Sequence, residues 1–160
     1  MSWVIGPARA DEAEQVAALI NAINSLGPSV RPATMTAEIV RRDLLGERPK
    51  ARLLVAREDG LLLGFATAGT IYDAERAADA FMLLDLYVRP EARRRGIARA
   101  LMAALAAEAR AEQAGCIWWG VDDGDDEAME FYRAIGAAAE GSFTGMILAG
   151  SALAALARAA

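Results

Sequence analysis

Histidine is absent from this 160-residue chain. Without an imidazole, a Ser-His-Asp or Cys-His relay is excluded, and so is every metal site that needs histidine. Cys116 is the single cysteine, so no internal disulfide can form and no thiolate zinc cluster can be built. No metal is expected, although an Asp/Glu/water magnesium site stays formally open. Acid–base chemistry falls to Asp, Glu, Tyr, the lone Lys50, Cys116 or the backbone. Long apolar runs are also missing. No stretch approaches the roughly 18 consecutive apolar residues of a membrane helix, so no membrane partner is expected. Met1 to Ala10 lacks the apolar core of a signal peptide, which sets a cytoplasmic protein as the expectation.

What is present is enough for a core. Hydrophobic residues make up 55% of the chain and charged residues 24%, a balance that excludes disorder. The length is that of one domain, 1–160. With 17 basic and 22 acidic residues the net charge is −5, which opposes bulk binding to nucleic acid. The charges are unevenly spread. Arg89, Arg93, Arg94, Arg95 and Arg99 are crowded together with Glu91 alone among them, while Asp122 to Glu130 is acidic without a base. An acidic chain with one basic knot suits the binding of one small anion.

Along the chain, Trp3 to Ile5 reads as a strand stopped by Pro7. Asp11 reads as a helix cap with Glu14 as its capping-box partner. Val16, Leu19, Ile20 and Ile23 then share one helical face. Leu26 to Pro32 reads as loop, and Thr36 to Leu45 as a second helix. Arg52 to Arg57 and Leu61 to Ile71 read as a hairpin around Glu58-Asp59-Gly60. Tyr72 to Ala78 reads as loop. Phe81 to Val88 has the apolar character of a central strand covered on both faces. A long helix over Gly96 to Ala114, a strand over Cys116 to Val121, a helix over Asp125 to Ala134 and a last strand over Ser142 to Leu148 follow. Residues 151–160 read as a tail helix. The strand–helix–strand stretch from Phe81 to Val121 demands a parallel pair, whereas the earlier hairpin is antiparallel. The expectation is therefore an α/β fold with a mixed central sheet of about 6–7 strands and helices on both faces.

The central strand runs straight into Arg89-Pro90-Glu91-Ala92-Arg93-Arg94-Arg95-Gly96-Ile97-Ala98 and a helix start. Unpaired N–H groups and the helix dipole make such a start an anion cradle, and Gly96 and Ala98 keep side chains out of the way. The loop is neither a P-loop nor a dinucleotide fingerprint, because the required lysine and glycine spacings are missing. A solvated arginine cluster on a helix start is the competing reading.

Arg93-x-x-Gly96-x-Ala98 resembles the Q/R-x-x-G-x-G/A motif of the GNAT superfamily of N-acetyltransferases. It is preceded by Leu86-Tyr87-Val88-Arg89-Pro90 and followed by Ala100-Leu101-Met102. Further on, Ala128-x-x-Phe131-Tyr132-x-x-x-Gly136-Ala137 resembles a second signature of that superfamily. The likeness spans roughly Trp3 to Leu148. Within the superfamily the chain is similar to diamine (spermidine/spermine) N-acetyltransferase-like members.

The resemblance implies acetyl-CoA as co-substrate. Its pyrophosphate would sit on the loop from Arg93 through Arg94, Arg95, Gly96, Ile97, Ala98 and Arg99. Its pantetheine arm would follow the backbone at Leu86, Tyr87 and Val88. It also implies direct attack of a primary amine of a small molecule on the thioester, with Tyr132 as the acid that protonates the departing thiolate. Phe131 and Asp125 would belong to the cofactor side. Taken by itself, Tyr132 also reads as a core aromatic beside Phe131, and Trp118 and Trp119 read as core.

Two departures matter. Asp125 stands where the motif has asparagine, and it reads equally as a helix N-cap. Leu84 stands where diamine acetyltransferases carry a strand glutamate. The neighbouring Asp85 would face the other way unless a bulge shifts the register. Asp73, Glu75 and Glu130 are the weaker carboxylate candidates. Peptide or protein N-terminal acetylation, and a non-catalytic acyl-CoA-binding domain, are the alternative functions. A homodimer is expected from the resemblance alone.

Overall fold

The computed structural model describes residues 2–26 and 34–159. The expected loop from Leu26 to Pro32 therefore lies, apart from Leu26 itself, outside the described residues. Two compact units make up the chain, Met1–Gly120 and Val121–Ala160.

The first unit is built on five strands in the order β1-β2-β3-β4-β5. They are β1 (Val4–Pro7), β2 (Arg52–Glu58), β3 (Leu61–Asp73), β4 (Ala78–Val88) and β5 (Ile117–Trp118). The first three pairings are antiparallel and β4 pairs β5 in parallel, so the sheet is mixed as expected. Among the described residues it has five strands rather than six or seven. Ser142 to Leu148, expected as a further strand, joins no ladder among the described residues. β1 continues through Pro7, which an edge strand tolerates because its missing N–H is not needed by a second neighbour. The turn between β2 and β3 holds Asp59 and Gly60 at φ 48° and 80°, the left-handed pair that matches hairpin twist.

The expected loop over Tyr72 to Ala78 is instead the tip of a second hairpin. β3 runs to Asp73 and β4 starts at Ala78. The Asp73 carboxylate closes the tip by accepting from the N–H groups of Glu75 at 3.0 Å and Arg76 at 3.2 Å. Arg76 Nη1 binds its other oxygen at 2.6 Å.

Helices α1 (Ala13–Asn24) and α2 (Ala37–Asp43) share one buried cluster with Leu53, Val55, Leu62, Phe65 and Tyr87. Thr36 caps α2, its hydroxyl accepting from the Ile39 N–H at 3.2 Å. Alternate strand residues such as Leu54, Ala56 and Ala66 are buried on the opposite face. There α3 (Ile97–Ala111) packs on β2, β3 and β4 through Ile97, Leu101, Leu105 and Ala109. Helices thus cover both faces.

The Asp11–Glu14 capping box does not form. A short 3-10 turn over Ala10–Glu12 precedes α1, and Glu12 does the capping. Its Oε2 accepts from the Arg9 N–H at 2.8 Å, while Arg57 grips both carboxylate oxygens at 2.7 and 2.9 Å. The partner is a strand residue distant in sequence, which no local pattern reveals. Burial pushes the Glu12 carboxyl upward, but the Arg57 hydrogen bonds, the Arg9 N–H and the Arg57 charge outweigh it and leave the pKa below the ordinary 4.5. A depressed folded-state pKa contributes stability above the unfolded value and loses it as pH falls through the folded one. Glu12→Gln is expected to cost roughly 2–3 kcal/mol at neutral pH. Urea melts should show that difference shrinking as the pH drops below 4.5.

The second unit holds α4 (Asp126–Ala134) and α5 (Gly150–Ala157). α5 lies where 151–160 is expected to be helical. Among the described residues no helix is long and apolar enough to cross a membrane.

Candidate active site

The parallel pairing of β4 with β5 is short. Only Phe81 and Met82 have partners, Ile117 and Trp118. The expected strand from Cys116 to Val121 is thus two residues long, and β4 from Leu83 to Val88 has no ladder partner on that edge among the described residues. β4 is the last strand but one in the sheet, not its centre. Its backbone at Leu86, Tyr87 and Val88 pairs on the other side with Ala66, Phe65 and Gly64 of β3. A side chain at Gly64 would put its Cβ 2.5 Å from the Tyr87 carbonyl oxygen, so glycine there permits the close approach of the two strands. Tyr87 is buried and its ring stacks at a tilt on Phe65, with centroids 6.2 Å apart.

The open edge begins at an irregularity. Asp85 pairs with Thr67, but Leu83 pairs with Ala68, so Leu84 is an extra residue in β4. Thr67 and Ala68 are adjacent and face opposite sides. Asp85 and Leu83, two residues apart, therefore also face opposite sides. The bulge leaves Leu84 53% exposed, so this strand is not covered throughout. Asp85 is half-buried on the α1/α2 side. Its Oδ2 accepts from the Thr67 hydroxyl at 2.6 Å, and Oδ1 makes no hydrogen bond among the described residues. The register shift that would free Asp85 from its regular facing is thus present.

Thr67, 4% exposed, is the partner of Asp85 that the sequence reading does not single out. The available signal was a hydroxyl inside the apolar run from Leu61 to Ala68.

β4 leads through Arg89 into a short 3-10 turn, Pro90–Ala92, and then to Gly96, the N-cap of α3 at φ 79°. A Cβ built there would meet nothing within 4 Å, so the space above the helix start is open. Arg94 is also left-handed, at φ 63°. Among the described residues the N–H groups of Arg94, Arg95, Gly96, Ile97 and Ala98 donate no backbone hydrogen bond. Five consecutive donors at a helix start, beside open space, fit a diphosphate in donor chemistry and in room.

The arginines divide their work. Arg89 Nε donates to the Leu62 carbonyl at 2.7 Å, and its N–H to the Leu63 carbonyl at 2.8 Å. Arg93 Nε donates to the Val88 carbonyl at 3.3 Å. Arg95 forks onto Glu58 at 3.0 and 2.6 Å. These three hold the loop to the sheet. The Arg94 side chain, in contrast, has no hydrogen-bond or ion-pair partner among the described residues. The basic knot is therefore partly scaffold.

In the second unit, Asp125 caps α4, its Oδ1 accepting from the Ala128 N–H at 2.9 Å. Phe131 and Tyr132 are half-buried with ring centroids 5.1 Å apart. Burial, helped by the Asp125 charge, raises the Tyr132 phenol above its ordinary 10.0, so it carries its proton at neutral pH. Asp73, one of the weaker carboxylate candidates, is taken up by Arg76 at the hairpin tip.

The profile of the acetyltransferase (GNAT) family matches residues 16–137, a stretch that includes every strand but β1, the Gly96 loop and α4. A search of curated proteins found no match. Among solved structures, the chain is similar to an integron cassette protein from the mobile metagenome of V. cholerae. Identity is 23%, coverage 99% of both chains and the TM-score 0.82. A ribosomal-protein-alanine N-acetyltransferase from Brucella melitensis biovar Abortus shares 26% identity over 92% of this chain and 99% of its own, with a TM-score of 0.73. An aminoglycoside acetyltransferase from an uncultured soil metagenomic sample shares 23% over 93% of this chain and 100% of its own, with a TM-score of 0.75. An open strand edge leading into a donor-rich helix start, on a chain matched by that family's profile through both features, places this protein in the GNAT acetyltransferase family.

Proposed function

We propose that this protein transfers the acetyl group of acetyl-CoA to a primary amine of a small cationic molecule by direct attack. Acetyl-CoA is the family's co-substrate. The observation that carries the reading is the bulge at Leu84. It sets Asp85 at the start of the unpaired half of β4, the half that leads into the Gly96 donors. An extended thioester arm can follow that free edge, bonding the backbone at Leu86 and Val88, while the diphosphate lies on the N–H groups from Arg94 to Ala98.

The amine arrives protonated and attacks only when neutral. Asp85 Oδ1 takes that proton, and Thr67 holds the carboxylate in place through Oδ2. A backbone N–H of the bulged strand polarises the thioester carbonyl. The new N–C bond forms as the C–S bond breaks; in the role the family resemblance gives it, Tyr132 passes its phenol proton to the departing thiolate, and the second proton of the acylated nitrogen restores the phenol. The reading stops at cationic amines rather than diamines, because half-exposed Leu84 fills the strand position of the diamine enzymes' glutamate. Peptide N-termini are the second reading, favoured by the name of the Brucella neighbour.

Thiol release from acetyl-CoA across a panel of acceptors tests this. Small cationic amines should outrank both neutral hydroxyl acceptors and alanyl peptides. Added salt should raise KM more than it lowers kcat, because screening weakens capture of a cation more than chemistry. Preference for a peptide N-terminus would establish the second reading, and preference for hydroxyl acceptors would overturn both. Tyr132→Phe removes only a hydroxyl. It should lower kcat about ten- to thousand-fold, with acetyl-CoA affinity unchanged. A variant keeping more than half its turnover would show that the thiolate is protonated from elsewhere.

A further inference from the structure

Two glycines stand within β3, for different reasons. At Gly64 the Tyr87 carbonyl leaves no room for a side chain. At Gly69 a Cβ would meet nothing within 4 Å among the described residues. Its φ lies outside the left-handed region, so the backbone does not call for glycine either. Glycine inside a strand costs stability and often marks the close approach of a ligand. What Gly69 supplies is open space. Alternation sets where that space lies. Thr67 and Gly69, two residues apart, face the same side, that of α1 and α2. Gly69 pairs with Met82 and Ile71 with Ala80, so these four share that face with Thr67 and Asp85. The buried cluster beneath α1 and α2 takes β3 no further than Phe65. Gly69, Ile71 and Met82 beyond it are half-buried. Asp85 Oδ1, without a hydrogen bond, thus stands at the head of a short apolar floor. At the far end lies Asp73, whose carboxylate is spent on Arg76 and the hairpin tip.

We propose that the floor at Gly69 seats the hydrocarbon chain of the acceptor, and that the acceptor is an unbranched aliphatic monoamine. Its ammonium meets Asp85 Oδ1, and its chain lies over Gly69 against Met82 and Ile71. This rests on the amine-acceptor reading and adds to it the class of the amine's body. Three features select that class. Gly69 lies about 7 Å along the strand from Thr67, at about 3.4 Å per residue, so a chain of several carbons spans the floor. The side chains of Met82, Ile71 and Ala80 offer no strong donor or acceptor, and the hydroxyls of an amino sugar would be desolvated there without partners. Asp73 is already paired, so a second ammonium at the far end finds no free carboxylate on this floor. Gly69 is then the residue that sets acceptor size, because any side chain there would occupy the volume of the substrate chain.

Thiol release from acetyl-CoA with straight-chain primary amines, from ethylamine to hexylamine, tests the proposal on the full chain. Wild-type kcat/KM should climb with length by up to about fourfold per methylene, the worth of burying one. Added salt should lower every rate but leave that climb intact, because no charge takes part in it. Gly69→Val should flatten the climb while keeping the wild-type rate on ethylamine and the wild-type affinity for acetyl-CoA. Its thermal melt should be unchanged or higher, since a strand favours valine and the site has room for it. Gly69→Ala should fall between the two. Glucosamine and a diamine of matched length should both trail hexylamine. A wild type indifferent to chain length overturns the proposal while leaving the amine reading in place. So does a folded Gly69→Val enzyme that keeps the climb, or one slowed equally on every amine. Preference for glucosamine or the diamine overturns it too. A wild type that acetylates no amine at all overturns the amine reading, and this proposal with it.

Discussion

Gly96→Glu is expected to abolish the thermal stabilisation that acetyl-CoA gives the wild type. The N–H groups of Arg94 to Ala98 are unspent and the space beside Gly96 is open. A carboxylate there meets the diphosphate at close range. Two unit charges about 4 Å apart repel by about 4 kcal/mol at the dielectric of a protein surface, which is about a thousandfold in Kd. The left-handed φ of 79° adds a second cost, because any side chain is strained there. Gly96→Ala separates the two, since it carries the strain without the charge. Calorimetric titration should find Gly96→Ala weakened far less than Gly96→Glu. A Gly96→Glu protein that keeps the wild-type melting shift would move the anion site away from this loop.

The second large effect is expected at Asp85. Asp85→Asn keeps the shape of the side chain, and its amide can still hydrogen-bond the Thr67 hydroxyl, so the strand and its bulge should persist. What is lost is the capacity to take a proton. General-base contributions run about 10²–10⁴-fold, and kcat/KM should fall within that range with acetyl-CoA affinity unchanged. The deficit should narrow as pH rises towards the amine's own pKa, because solvent then supplies the neutral amine without help. Thr67→Val should lower kcat by less and leave the form of the pH profile intact, as suits a positioning residue. An Asp85→Asn enzyme with more than half the wild-type rate at neutral pH would make the Thr67–Asp85 pair purely structural.

The parts of the fold readable from sequence are those where local chemistry and long-range pairing agree. Asp59-Gly60 between two apolar runs is a hairpin by any rule, and β2 and β3 form around it. Val16, Leu19 and Ile20 are buried along one side of α1 as their spacing implies. The Gly96 loop was legible because a single glycine, a helix start and flanking arginines carry one physical message. The Leu84 bulge was not legible, because Leu83 and Leu84 are both apolar and no break in period marks the extra residue. It becomes visible only in the register against Thr67 and Ala68. Tyr72 to Ala78 reads as loop from its polarity, but its polar residues bond each other at Asp73 and close a hairpin tip. Ser142 to Leu148 has strand-forming residues but no partner strand among the described residues, and strand character in the sequence does not by itself make a ladder. The Glu12–Arg57 pair displaced an equally plausible local cap because the stronger partner came from far along the chain.

Direct attack of the amine on the thioester is tested most directly by the order of events after mixing with acetyl-CoA. Released CoA and the intact mass of the protein are followed first without an amine and then with one. Direct attack should give no stoichiometric CoA release and no acetylated protein in the first phase, then CoA and N-acetylated amine in equal amounts once the amine is added. A burst of CoA equal to the enzyme before any amine is present, with an acetyl group retained on Cys116 or another side chain, would contradict it.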